Sequence, residues 1–247
     1  MEGEHAATRL EMLAGSSLFG GLDRPAMTEI LAAARERWVA GGDALFREGE
    51  PAERFCVVVE GRLKLTQVGL DGHEVILRFV GPGEAAAVLA IFEGTDYPLT
   101  AWAVGPASVL EWQREALQAL LQRHPALAVN TVRLLSERLR EVQERFRELA
   151  TERVAQRIAR ALLRLVRQAG RKVKGGVLID MSLSRQNLAE LTGTTLFTVS
   201  RVLSEWESQG ILESARERVT ITNPHALVAI AEDLPGASGE EKGKGKR

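Results

Sequence analysis

The residues with the most definite chemistry lie in one stretch, SRQNLAELTGTTLFTVSRVLSEWESQGIL, which contains Ser184, Arg185, Gln186, Thr195, Leu196, Phe197, Thr198, Ser200 and Arg201. A guanidinium on the outer face of a helix can bond guanine N7 and O6 together. Hydroxyls and cations near helix starts can hold phosphate oxygens, which sets register without reading sequence. Arg201 suits the first task. Ser184, Arg185, Thr195 and Thr198 suit the second. The chemistry on offer is recognition of double-stranded DNA.

Such side chains need two helices and a tight corner between them. Ser184 is a helix cap, Leu188, Ala189 and Leu191 form an inner face, and Gly193 makes the corner. A second helix follows from Thr194 or Thr195, with Val199, Val202, Leu203 and Trp206 inward and Gly210 at its end. The small residue at 189, the glycine at 193 and the β-branched residue at 199 fit a helix-turn-helix. Thr195, Leu196, Phe197, Ser200 and Arg201 then face a major groove. The run RERVTIT after Leu212 reads as a β-hairpin wing lying against the DNA backbone.

Other chemistries find little support. No nucleophile–base pair, no GxxxxGK phosphate loop and no metal motif is present, so no enzyme and no metal site is expected. The single cysteine, Cys56, excludes an intrachain disulfide and a cysteine-rich zinc site, and the four histidines lie far apart. The longest apolar run, Ala85 to Phe92, is too short to span a bilayer, and no signal peptide precedes the charged N-terminus. A cytoplasmic protein with no membrane partner is expected.

Charge is unevenly distributed along the 247 residues. Residues 1–150 hold 16 Lys and Arg against 22 Asp and Glu, whereas 151–234 hold 12 against 9. A basic C-terminal half is compatible with nucleic-acid binding.

The rest of the chain falls into three parts. Residues 10–36 read as short helices, with Pro25 near the start of one. Between 38 and 112 recurrent glycines separate β-type runs: RFCVVVE, RLKLTQV, EVILRFV, LTAWAV and SVLEW. Asp71-Gly72 marks a hairpin. REALQALLQR is a short helix ending before Pro125, and no glycine or proline follows until Gly170. Within that span Val132, Leu135, Leu139, Val142, Phe146 and Leu149 repeat at alternating steps of 3 and 4, an a/d seam suited to a partner helix. Residues 151–167 form another helix, Arg171, Lys172, Lys174, Gly175 and Gly176 a basic turn, and VLIDMSL a short strand. The tail from Pro235 lacks apolar residues and reads as disordered.

These parts, in this order, resemble the CRP/FNR family of bacterial transcription regulators over about residues 18–232. GGDALFREGEPAERFCVVVEGRLKL, DGHEVILRFVGPGE and YPLTAWAV are similar to a cyclic-nucleotide-binding β-roll. The resemblance implies an α+β protein: a jelly-roll-like β-roll sensor with N-terminal helices over 1–122, a long dimerisation helix over 123–150, a winged helix-turn-helix over 151–234 and a tail over 235–247. It also implies a homodimer on a two-fold symmetric DNA site, with RNA polymerase as a further partner.

The effector pocket matched by the resemblance comprises Gly83, Glu84, Ala85, Leu99, Thr100, Val142 and Gln143. Members that bind cyclic AMP hold its phosphate with Arg-Ser or Arg-Thr, but here Leu99 replaces the arginine. A phosphate buried without a guanidinium is poorly paired, so cyclic AMP is not the expected effector. Ala85-Ala86-Ala87-Val88-Leu89 makes the pocket more apolar, which suits an uncharged ligand or a filled pocket. No cofactor is assigned. Haem-dependent gas sensing stays open, because Asp96–Ala101 resembles a loop of the nitric-oxide-sensing regulators. His73 is a candidate axial ligand and Cys56 a candidate thiolate, each with a plainer reading as a turn residue and a buried hydrophobe. A different class, a ligand-binding module acting on a protein partner, also stays open. In the reading head, the family's Arg-Glu pair is replaced by Leu196-Phe197 while Arg201 is kept. The expected half-site keeps the guanine, and relaxes or prefers thymine opposite Phe197.

Overall fold

The computed structural model describes residues 9–86, 88 and 96–234. The expected disordered tail, and Ala87 and Leu89 of the apolar run, lie outside these residues. The chain divides into two compact units, Met1–Gln143 and Glu144–Arg247, and the division falls inside the long helix.

In the first unit a helical segment over 9–14 and α1 (Arg24–Ala32) precede the strands. Asp23 starts α1 by accepting the Ala26 amide at 2.9 Å, with Pro25 in the first turn. The strands are β1 (Arg35–Val39), β2 (Ala44–Phe46), β3 (Arg54–Glu60), β4 (Leu63–Val68), β5 (Glu74–Val80), β6 (Ala85–Ala86), β7 (Thr100–Ala103) and β8 (Ala107–Gln113). They form two antiparallel sheets, β1-β8-β3-β6 and β2-β7-β4-β5. This is the β-roll. The β4–β5 hairpin pairs Leu63 with Val80 and Val68 with Glu74, which places Asp71-Gly72 in its turn.

Strand β3 shows why both faces must be apolar. Cys56 and Val58 point between the sheets with Val39, Phe46, Leu63, Leu65, Val80 and Val109. Phe55 and Val57 point the other way, into a cluster with Trp112, Leu13, Phe19, Met27, Ile30 and Leu120. A strand covered on both sides reads as a continuous apolar run rather than an alternating one.

Two strands depart from the sequence reading. Arg35–Val39 is a strand and not the end of a helix; it pairs residue by residue with β8, from Arg35↔Glu111 to Val39↔Ala107. Only Val39 of this edge strand is buried, so its alternation is hidden by charge. The short β2 has the same difficulty: three residues carry too little periodicity to be seen.

Helix α2 (Arg114–Arg123) leads into α3 (Pro125–Thr151), a helix of 27 residues and about 40 Å. The second unit continues with α4 (Val154–Ala169), β9 (Gly170–Val173), β10 (Gly176–Ile179), α5 (Arg185–Thr192), α6 (Leu196–Ser208), β11 (Leu212–Ala215), β12 (Arg218–Ile221) and α7 (Pro224–Ala231). Its sheet order is β11-β12-β10-β9. The core is built by Ile158, Leu162 and Leu165 of α4 with Leu188, Leu203, Trp206, Ile221 and Leu227.

The break between α3 and α4 involves neither glycine nor proline. Gln156 Oε1 accepts the Arg153 amide at 2.8 Å and restarts the helix. The basic stretch expected as a turn is mostly strand: Arg171 and Lys172 pair in β9 with β10, leaving Lys174-Gly175 as the turn. Gly176 pairs with Val173 as part of β10, and the position requires glycine because a Cβ there would collide with the Ile221 carbonyl of β12.

Helix α3 is fixed to the first unit by Asn130, 6% exposed, whose Nδ2 donates to the Leu18 carbonyl at 3.0 Å and the Gly20 carbonyl at 2.8 Å. Asn130→Ala leaves both acceptors without this donor and lowers unfolding free energy by about 1–3 kcal/mol. Chemical denaturation with an unchanged m-value checks this; a shift under about 0.5 kcal/mol contradicts it.

Candidate nucleic-acid interface and sensor pocket

The corner that presents α6 is built from capping interactions. Ser184 Oγ accepts the Asn187 amide at 3.0 Å while Asn187 Oδ1 accepts the Ser184 amide at 3.1 Å. These two bonds satisfy helix-start donors reciprocally. Gly193 ends α5 at φ 61° and ψ 47°, a left-handed conformation in which a Cβ is strained. Thr195 then starts α6 by accepting the Thr198 amide at 3.2 Å. Val199, Val202, Leu203 and Trp206 are buried beneath it.

What remains outside is the candidate reading surface. Phe197 is 79% exposed and Leu196 47%. Thr195 and Arg201 are exposed, with Thr198 and Ser200 half-buried. Arg201 has no ion-pair or hydrogen-bond partner among the described residues, so its donors face solvent. Gln186 is exposed and donates to Glu190 at 2.9 Å.

Arg185 sits differently from a free phosphate anchor. Its Nη2 donates to Ser214 Oγ at 3.1 Å and lies 4.0 Å from Glu207, which also accepts the Ser214 amide at 2.9 Å. The guanidinium is engaged at the base of the β11–β12 wing.

The wing supplies two cations that the sequence reading did not single out. Arg216 and Arg218 are exposed and have no ion-pair partner among the described residues. Glu217 between them takes φ 58°, a position where glycine is usual. Its carboxylate accepts from Ser182 Oγ at 2.7 Å and its carbonyl from the Leu183 amide at 3.0 Å, tying the wing tip to the segment ahead of α5. The alternation of cation and anion in RER, between two β-type runs, was the available signal.

The a/d stripe of α3 is largely uncovered in the single chain. Val132, Leu139, Val142, Phe146 and Leu149 are each more than half exposed, and Leu135 is half-buried. Other faces of the helix bury Leu127, Asn130, Thr131 and Leu134.

Among the described residues, the effector-pocket side chains sit in separate settings. Glu84 accepts the Gly81 amide at 2.7 Å and Arg78 Nη2 at 2.8 Å. Its carboxylate closes the turn containing Gly83 at φ 78°. Thr100 Oγ1 accepts the Glu48 amide at 3.0 Å. Leu99 packs on the inter-sheet core, Ala85 is buried on β6, and Val142 and Gln143 are exposed on α3.

A cleft of about 380 Å³ opens elsewhere in the first unit, lined by Arg37, Arg47, Arg54, Glu111, Cys56 and Tyr97 among others. Arg37 and Arg54 both face Glu111, at 3.2 and 3.8 Å. Burial pushes the Tyr97 hydroxyl up to about 12.

The haem ligands proposed from sequence do not fit that role. His73 is exposed at the β4–β5 turn, where its amide donates to Asp71 at 3.1 Å. Cys56 is 1% exposed within β3, and burial, with Glu111 adding, pushes its thiol far above the usual range. A thiol so buried is inert. Alkylation with iodoacetamide at pH 8 should label Cys56 at least about 100-fold more slowly in the native chain than in denaturant. Equal rates by mass spectrometry would contradict the burial.

The cyclic nucleotide-binding domain family matches residues 36–124, and the Crp-like helix-turn-helix domain family matches 156–230. The cyclic AMP receptor protein of Thermus thermophilus is 31% identical over 88% of this chain and 97% of its own length. Among solved structures, FixK2 of Bradyrhizobium japonicum is 28% identical with a TM-score of 0.70, covering 80% of this chain and 96% of its own. The c-di-GMP-responsive global regulator CLP of Xanthomonas campestris is 26% identical with a TM-score of 0.71, covering 81% and 99%.

Proposed function

This chain belongs to the CRP/FNR family of transcription regulators, and from that premise we propose that it acts as a homodimer reading a two-fold symmetric DNA site. Regulators of this family bind DNA and act as dimers. They are not enzymes, and the proposal assigns no catalytic residue. The observation that carries it is the outer surface of the second unit, where Arg201 on α6 and Arg216 and Arg218 on the wing are exposed and unpaired among the described residues.

In this reading α6 enters the major groove and each half-site lies about 34 Å from its mate. Arg201 bonds guanine N7 and O6. Leu196 and Phe197 supply apolar contact, so the base pair opposite Phe197 carries no cytosine requirement, since a phenyl ring cannot accept from a cytosine amino group. Ser184, Thr195, Thr198, Arg216 and Arg218 hold phosphates, and Arg185 reinforces the wing from beneath. Residues 1–122 act as sensor, 123–150 as dimer helix and 151–234 as reader. The dimer seam is the stripe Val132, Leu135, Leu139, Val142, Phe146 and Leu149. RNA polymerase is the further partner in the cytoplasm; among the described residues no helix is long and apolar enough to cross a membrane.

Selection from random DNA with the purified chain and no added ligand should enrich a two-fold symmetric site whose affinity falls steeply with salt. Arg201→Ala should cost about 1–3 kcal/mol on that site and relax one base pair per half-site. A uniform loss across all sequences would remove the base-reading role. A strict cytosine requirement opposite residue 197 would remove the role given to Phe197.

Leu139→Asp places a carboxylate in the seam. Sedimentation should show monomers at concentrations where the parent chain is dimeric, with high-affinity DNA binding lost. Unchanged dimerisation would place the interface elsewhere.

A further inference from the structure

Two of the polar groups expected to meet an effector, Glu84 and Thr100, have partners within the chain. Glu84 is held by the Gly81 amide and Arg78, and Thr100 by the Glu48 amide. Leu99 has turned to apolar packing. In the cleft of about 380 Å³, Arg37 and Arg54 both face Glu111.

A ring of four charges among the described residues joins the β-roll to the long helix instead. Arg78 lies on β5 with its side chain only 13% exposed. Its Nη2 is 2.8 Å from Glu84 and its Nη1 is 3.9 Å from Glu141 on α3. Glu141 lies 2.8 Å from Arg138, one turn back on the same helix, and Arg138 returns to Glu84 at 3.6 Å. Two guanidiniums are thus shared by two carboxylates, and the ring is formally neutral. Burial and the neighbouring Arg138 lower the proton affinity of Arg78, while Glu84 and Glu141 oppose them.

The position of the ring gives it mechanical consequence. Glu141 precedes Val142, which belongs to the exposed a/d stripe. Holding Glu141 toward Arg78 and Arg138 toward Glu84 fixes the rotation of α3 about its axis, and with it the direction in which the stripe faces. An effector in such a sensor would act by stabilising one orientation of this helix. Here side chains of the chain itself supply that bias.

We infer that Arg78 is a built-in effector, bridging sensor and helix through Glu84 and Glu141 so that DNA binding needs no small ligand. The inference rests on the regulator reading above. A cyclic nucleotide would have to displace a carboxylate to reach Arg78 or Arg138.

The test uses the full chain and two readouts. Glu141→Gln changes a half-exposed helix residue, so folding is retained, and Arg78→Met removes the bridge itself. Each should weaken binding to the selected site by about tenfold or more while sedimentation still reports dimers. Combined, they should be no worse than Arg78→Met alone, because both break one ring. Saturating cyclic AMP or cyclic GMP should leave the parent chain's affinity unchanged. Amide exchange over residues 132–143, measured without DNA, should accelerate in Glu141→Gln. Binding by both variants within about twofold of the parent would overturn the inference, as would tightening by either nucleotide. If Arg78→Met does not fold, Glu141→Gln decides. If the parent chain enriches no DNA site, the regulator reading fails, and the exchange experiment still judges the ring: unchanged protection rejects it.

Discussion

Arg157, in the first turn of α4, donates to three backbone carbonyls at once: Nε to Thr192 at 3.1 Å, Nη1 to Glu152 at 3.2 Å and Nη2 to Gly193 at 3.4 Å. Two of these carbonyls end α5 and one follows α3. Helix C-termini leave carbonyls without intrahelical donors, and the fixed fork of a guanidinium suits it to bridge them. The corner of the helix-turn-helix is thereby set against the end of the long helix, and Leu149 packs close enough to Gly193 to crowd a Cβ there. Buried Glu148 adds a 2.6 Å pair with Arg164, and Glu152 a 3.0 Å pair with Arg160. Phe146 and Leu149 of the apolar stripe belong to the compact unit that carries α6. A partner helix on that stripe would therefore orient the reading surface directly.

The first unit solves a different problem with the same helix. Its two sheets enclose one core, and the outer face of the β1-β8-β3-β6 sheet needs a second cover. The helical segments before β1, α2 and the start of α3 provide it, with Trp112 tied to the Ile30 carbonyl at 2.8 Å. Helix α3 thus has obligations on several faces: apolar burial at Leu127 and Leu134, charge pairing at Arg138 and Glu141, and an uncovered stripe. Most of the stripe lies outside the monomer's own core, and an exposed apolar row of this kind marks a surface for a partner.

Much of this was legible in the sequence because it rests on local chemistry. Ser184, Gly193 and Thr195 signal caps and a corner through their own side chains or lack of one, and β3, β5 and the DG hairpin through short-range pattern. β1 was hidden because its charges are satisfied by residues distant in sequence, Arg37 by Glu111 and Glu36 by Arg9. A new helix from about residue 151 follows from the sequence; the means of restarting it, a glutamine rather than a glycine or proline, does not show there. The partners of Glu84, Arg78 and the Gly81 amide, emerge only when β5 and its following turn are folded.

Charge shows most clearly what composition conceals. Residues 151–234 hold 12 basic side chains against 9 acidic ones, a modest surplus if all are equivalent. They are not equivalent. Arg157 is committed to carbonyls, Arg160, Arg164 and Arg171 to carboxylates, and Arg185 to Ser214 beside Glu207. A cation held by a carboxylate adds little to the field felt by a phosphate, since the pair's potentials cancel within a few ångströms. The cations left to act on an anionic partner include Arg201, Arg216 and Arg218, on the second helix of the motif and on the wing. The net charge of residues 151–234 permits nucleic-acid binding; the sorting of their arginines into paired and unpaired is what supports placing the proposed contacts on α6 and the wing.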